Sequence, residues 1–203
     1  MKIGVIILAA GGSSRMGSAK QLLRYGGQRL IRRAAETAIG SLCDPVVVVI
    51  GNDAQRMRDE LGTMPVSVIE NQDWRDGMSS SIRAGMEELL KDDADAVVLM
   101  LCDQPFVTAE ILNDLIFTHF KTGEPIVASA YEGIQGVPAF FTREFFADLT
   151  SLTADEGARR VILKHPQSVS TIAFPQGAFD VDTPDEYEAI LSGYTSSIQP
   201  GNR

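Results

Sequence analysis

MKIGVIILAAGGSSRMGSAK, residues 1–20, sets an unbroken apolar run against glycine, serine and two widely spaced cations. The run from Ile3 to Ala9 shows none of the in-out alternation of a half-solvated strand. Such a run suits a parallel strand covered on both faces. In open α/β sheets, ligands collect outside the carboxyl ends of the strands, so the glycine-rich stretch is the first place to look for chemistry.

Similar apolar, β-branched runs recur along the chain, with helical patterns between them. Strands are expected at Ile3–Ala9, Pro45–Ile50, Val66–Glu70, Ala96–Leu101, Pro125–Ala130, Val137–Phe141 and Val169–Phe174. Helices are expected at Gln28–Ile39, Asp53–Leu61, Ser80–Leu90, Thr108–Phe120, Arg143–Leu149, Glu156–Lys164 and Pro184–Leu191. The first four strands read as covered on both faces, and repeated strand-then-helix order predicts a layered α/β fold with right-handed crossovers. Closer spacing around 125–141 predicts a short antiparallel excursion. Residues 1–191 read as a single domain, and the Ser-, Gly- and Pro-rich tail 192–203 is expected to fray.

The net charge of −9 argues against a nucleic-acid partner. Its distribution is lopsided: residues 1–35 hold seven Lys and Arg and no acid, leaving 11 basic and 27 acidic residues beyond. A local positive field on an acidic protein suits a compact polyanion; the alternative for Arg29, Arg32 and Arg33 is a solvated helix face. Cys43 and Cys102 stand apart, without disulfide or zinc spacing. No apolar run is long enough to span a membrane, and the opening run lacks a cleavage site, so the expectation is a cytoplasmic protein with no membrane partner.

Two familiar phosphate loops fail. Gly12 and Gly17 have Walker A separation, but Ser18 and Ala19 follow and Lys20 arrives two positions late; Gly11, Gly12 and Gly17 do not fit the dinucleotide spacing either. What remains is an anion cradle of glycine N–H groups with Arg15 and Lys20 for charge. After the third strand, Ser79–Ser81 could cap a helix that points at an anion; equally, the helix is simply capped and Trp74 pins the loop. Asp103 ends a wholly apolar strand, and a charge there needs a partner. Thr108 already caps the following helix. Thr183 to Glu186 is a capping box with Pro184 at its first turn, which leaves Asp180 and Asp182 unexplained by helix termination.

Leu8-Ala9-Ala10-Gly11 with Ser13, Arg15-Met16-Gly17 and Lys20 resembles the signature of nucleoside-triphosphate transferases, and more narrowly of the molybdopterin nucleotidyltransferases. The resemblance runs from residue 5 to about 188. It implies a three-layer α/β/α nucleotide-binding sandwich of mostly parallel strands, related to GT-A glycosyltransferases. Leu8, Ala9, Ala10, Gly11, Gly12 and Ser13 would wrap a triphosphate, with Arg15 and Lys20 neutralising it. Alanine at position 10 stands where GTP users tend to carry glycine, which favours CTP; one methyl is worth only about 1–3 kcal/mol of discrimination. The stretch from Asn71 through Gly77 and Ser81 to Gly85 matches segments that contact base and ribose.

By the same resemblance Asp103 would bind Mg²⁺, with Asp182 as second ligand and Asp180 in reserve. Few-oxygen sites suit this ion. Gln104, Pro105, Gly136, Pro138 and Arg159 match the acceptor cleft, although Ala154 stands where glycine is usual just before the Arg159 segment. The implied activity is transfer of CMP from CTP to a molybdopterin phosphate, with Arg15, Lys20 and Asp103 as catalytic groups and a molybdenum hydroxylase as a downstream partner. Alternatives are GTP, a sugar or alditol phosphate acceptor, or a cofactor-binding accessory protein without turnover. His119 and His165 lack partner patterns and read as ordinary packing.

Overall fold

The structure is a computed structural model and describes residues 1–13 and 16–192. Arg15 and residues 193–203 of the expected tail lie outside the described residues. In chain order the elements are β1 Ile3–Ala9, β2 Arg24–Tyr25, β3 Gln28–Arg29, α1 Leu30–Ile39, β4 Val46–Ile50, α2 Ala54–Leu61, β5 Ser67–Glu70, α3 Met78–Leu90, β6 Ala96–Leu101, α4 Ala109–Thr122, β7 Ile126–Tyr131, β8 Ile134–Thr142, α5 Phe146–Thr150, α6 Ala158–Lys164, β9 Val169–Ala173 and α7 Pro184–Leu191.

Seven strands form one sheet in the order β5-β4-β1-β6-β8-β7-β9. Only β8 runs against its neighbours, pairing antiparallel with β6 and β7, while β9 returns parallel to β7. This is the expected mostly parallel sheet with an antiparallel part. Val5 and Ile7 belong to the core shared with α1, α2 and α4, whereas Ile6 belongs to the core shared with α3, α5 and α6. The unbroken apolar runs of β1, β4 and β6 follow from that sandwiching. β5 is the exception: it is an edge strand and only half-buried.

One predicted boundary is corrected. The helix expected from Gln28 begins at Leu30, because Gln28 and Arg29 pair with Tyr25 and Arg24 in a small hairpin. Gly26 and Gly27, at φ +59° and +87°, supply the left-handed turn that a two-residue hairpin of this twist requires.

Inside the sheet, between β4 and β6, β1 is approached closely by α3. A side chain at Gly85 would place its Cβ 2.6 Å from Ile6 Cγ2 and 3.0 Å from Val49 Cγ2. This packing seats the first turn of α3 near the carboxyl ends of β1 and β6, where the cleft lies. Gly85→Ala gains helix propensity of up to about 1 kcal/mol, but the overlap with a packed core outweighs it. The expected outcome is a net loss of about 1–2 kcal/mol, read as a lower Tm in thermal unfolding.

Candidate active site

The elements converge at the carboxyl ends of β1 and β6 on a cleft of about 540 Å³, lined by the Gly11–Gly12 turn, Lys20, Trp74, the first turn of α3 and Leu101–Asp103. Three segments distant in sequence build its charged end. Asp103 follows β6, and its backbone carbonyl accepts a hydrogen bond from Val181 N–H at 3.0 Å. That bond ties the segment before α7 to the end of β6. The capping box then fixes the segment's other side: Thr183 Oγ1 accepts from Glu186 N–H, and the Glu186 carboxylate accepts from both Asp182 N–H and Thr183 N–H.

Lys20 closes the arrangement. Its ammonium pairs with Asp103 Oδ2 and, at 2.6 Å, with Asp182 Oδ1. Both acids thus present an oxygen to one cation, which places those oxygens within the span of two hydrogen bonds, about 6 Å at most. Burial works against the charge of Lys20, but the two carboxylates override it and hold its pKa well above the ordinary lysine value. Asp180 lies behind this pair. Burial, reinforced by the charges of Asp103 and Asp182, pushes its carboxyl up to about 7. Asp103 Oδ1 and Asp180 Oδ1 are both buried without a hydrogen-bond partner among the described residues. Cys102, adjacent to Asp103, is a buried thiol whose pKa is raised by burial and by that carboxylate.

The glycine-rich turn is held by its own backbone and by two side chains that sequence reasoning undervalued. Ser13, at φ +51°, accepts from Lys20 N–H through its hydroxyl at 3.1 Å and donates to Gln21 Oε1. Gln21 is buried, and its amide donates to the carbonyls of Ala9 (3.0 Å) and Gly11 (2.8 Å). A polar amide at the head of the apolar Gln21-Leu22-Leu23 run was the available signal. Trp74 packs against Gly12, where a Cβ would meet its ring at 2.6 Å, and the Arg75 guanidinium stacks over that ring at 4.3 Å. Ala10 is buried; its methyl and carbonyl face Gly51, where no side chain would fit.

Asn71 is buried too, and its whole amide is engaged. Nδ2 donates to Ser80 Oγ and Ser81 Oγ at 2.8 and 3.0 Å, and Oδ1 accepts from Asp73 N–H. It positions the start of α3, leaving Ser81 and Gly77 at the cleft. The expected serine cap is corrected: Gly77 is the N-cap, Ser79–Ser81 fall inside the first turn, and the Ala154 carbonyl accepts from Ser79 N–H.

Of the residues expected at the acceptor cleft, Gln104 lies beside Asp180, and none of Gln104, Pro105, Gly136, Pro138 and Arg159 is among the residues lining the cleft. Gln104 donates to the carbonyls of Val137 and Gly177, which joins β8 to the turn before the Asp180 segment. Gly136 lies under the Tyr131 ring, and Pro138, buried in β8, gives its carbonyl to Ser129 Oγ at 2.7 Å. The Pro105 carbonyl accepts from Arg33. Arg159 is exposed at the start of α6. Arg29 pairs with Glu60 at 2.8 Å, and Arg32 pairs with Glu36 at 3.1 Å, one turn further along the half-exposed face of α1. His119 stacks on Phe140, and His165 meets Asp148, as packing residues do.

The chemistry of the donor set fits a divalent cation of the magnesium type. No three His, Cys, Asp or Glu side chains among the described residues close into a ready-made metal centre. Two converging carboxylates and an unsatisfied buried oxygen instead match an ion that takes one or two protein ligands and draws the rest from water and phosphate.

A mostly parallel α/β/α sheet with a glycine turn, a lysine and paired acids at its carboxyl edge defines a nucleotidyltransferase-type site. Residues 5–169 match the family described as the MobA-like NTP transferase domain, and the chain belongs to that family. Two relatives are each 29% identical over nearly their whole length. They are the nicotine blue oxidoreductase of Paenarthrobacter nicotinovorans, covering 92% of this chain and 95% of the relative, and the purine catabolism protein PucB of Bacillus subtilis strain 168, covering 91% and 94%. Two crystal structures superimpose closely. The Rv0371c homologue of Mycobacterium sp. strain JC1 gives a TM-score of 0.82 at 28% identity over 97% of this chain and 99% of that one. Rv0371c of Mycobacterium tuberculosis in complex with manganese gives 0.76 at 26% identity over 95% and 99%.

Ala154 answers for the missing glycine. It adopts φ +48°, the left-handed conformation glycine would favour, and its carbonyl packs against Gly77, itself at φ +98°. An alanine held in that conformation carries a cost of about 1 kcal/mol. Ala154→Gly should therefore stabilise the protein by about 0.5–1 kcal/mol, read from the midpoint of urea unfolding.

Proposed function

We propose that the protein is a magnesium-dependent cytidylyltransferase that transfers CMP from CTP to the terminal phosphate of molybdopterin, releasing pyrophosphate. The observation that carries this reading is the convergence of Asp103 and Asp182 on one cation position beside the glycine turn. A pure binding module has no need of two acids held there by separate structural devices. The manganese complex of the mycobacterial relative supports a divalent ion in this fold, and Ala10 and the buried, positioned Ser81 support a cytidine nucleotide at the cleft.

In this reading the N–H groups of the Gly11–Gly12 turn and the charge of Lys20 bind the triphosphate. Arg15, outside the described residues, was expected on the same side. Asp103 and Asp182 would hold the divalent cation, which when bound neutralises phosphate oxygens. An oxygen of the acceptor phosphate forms a bond to the α-phosphorus, and the bond from that phosphorus to the β-phosphate bridging oxygen breaks. Pyrophosphate leaves with the electron pair, and a phosphate nucleophile needs no proton removed. Catalysis then rests on positioning and on charge stabilisation. Gln104, Gly136, Pro138 and Arg159 are assigned to the acceptor side by the family resemblance.

The name of the Paenarthrobacter relative favours one rival, an oxidoreductase. A coupled pyrophosphate assay with molybdopterin and each of four nucleoside triphosphates, without any reduced nicotinamide, separates the two. Release with CTP above GTP is expected; release with GTP alone moves the assignment to a guanylyl transfer, and no release with any nucleotide removes the transferase reading. Asp103→Asn should lower the rate about a hundredfold or more while circular dichroism shows a folded protein, and retained turnover would take the acid out of the mechanism.

A further inference from the structure

We propose that Lys20 is the resident counter-ion of the divalent-cation position, so that the metal gains both carboxylates only when the triphosphate draws the ammonium away. The inference rests on the reading of Asp103 and Asp182 as the metal ligands.

The argument is one of shared atoms. The Lys20 ammonium is bonded to an oxygen of each acid that the cation would use, at 2.6 Å for Asp182. A magnesium ion sits at about 2.0–2.1 Å from its oxygen ligands. An ion within reach of both oxygens would therefore lie almost on top of the ammonium, and two cations cannot share that space. Lys20 thus excludes free metal and at the same time compensates two acids at the edge of a buried strand, Asp103 being 9% exposed. Three carboxylates, those of Asp103, Asp180 and Asp182, gather here, and Lys20 bridges two of them.

The side chain has somewhere to go. Lys20 N–H is anchored to Ser13 Oγ, so its backbone is fixed to the glycine turn, and its side chain lines the cleft together with Gly11 and Gly12. A triphosphate on that turn offers the ammonium anionic partners, and the two acids are released together. Metal affinity and nucleotide affinity are then coupled, each raising the other by the same factor. Binding is ordered: nucleotide brings the cation.

The test is Mn²⁺ binding followed by electron paramagnetic resonance, with no nucleotide present, on the wild type, Lys20→Met, Lys20→Gln and Lys20→Arg. Lys20→Met and Lys20→Gln should bind Mn²⁺ about tenfold tighter or more, since they remove a competing charge from the same oxygens. Lys20→Arg should stay at the wild-type level. In chelator the two neutral variants should melt below the wild type and regain stability when Mn²⁺ is added, a readout available even if one of them folds poorly. Adding CTP should raise the Mn²⁺ affinity of the wild type more than that of either neutral variant. The proposal is overturned if the neutral variants bind Mn²⁺ no better than the wild type while CTP still recruits Mn²⁺ to the wild type. In that case the ion uses other oxygens, such as Asp103 Oδ1. If CTP recruits no Mn²⁺ to any protein, the metal reading of the two acids fails along with it.

Discussion

The site depends on one ammonium held between two carboxylates that lie on separate parts of the chain. Lys20 and Asp182 are 162 residues apart in sequence and 2.6 Å apart in space. Placing charges at the end of an apolar strand is expensive unless they are paired. The pairing is preceded by backbone geometry: Val181 N–H bonded to the Asp103 carbonyl, and a capping box that immobilises Asp182 and Thr183. The acids converge because a strand end and a helix start are tied together, and the lysine compensates their charge there.

Around this charged end the cleft is built from tightly packed, mostly uncharged pieces. Gln21 hydrogen-bonds across the glycine turn, Trp74 backs Gly12, and Asn71 spends its whole amide on the first turn of α3. Gln21, Trp74 and Asn71 thereby fix the glycine turn and the helix start that border the cleft. Gly85 does the same from the core, by letting α3 lie against β1. The division is between residues that offer charge and residues that fix where the charge is offered.

The apolar runs of β1, β4 and β6 were legible because burial on both faces leaves an unbroken pattern, and the antiparallel excursion was legible from the crowding of strands around residue 130. The hairpin at Arg24–Arg29 was not recognised, although Gly26-Gly27 between short polar pairs is a turn signal, because its strands are too short to show alternation. Asp103, Asp180 and Asp182 stood out once Thr108 and Thr183 had been assigned the caps. That they share Lys20 could not be read: pairing across 162 residues is a property of the folded chain, not of local pattern. Arg29, Arg32 and Arg33 could be read either as part of a positive field or as a solvated helix face, and only the structure reveals Glu60, Glu36 and the Pro105 carbonyl as their partners. Ser79–Ser81 suggested a cap because residue type alone cannot distinguish a cap from a position within the first turn.

The coupling between Lys20 and Asp182 is measured most directly by a double-mutant cycle on unfolding free energy, using Lys20→Met, Asp182→Asn and the double variant in the absence of metal and nucleotide. A pair this enclosed should show a favourable coupling of about 1–3 kcal/mol, with the double variant destabilised less than the sum of the singles. Strict additivity would mean that the ammonium does not hold this acid, and the arrangement described for the cleft would be wrong.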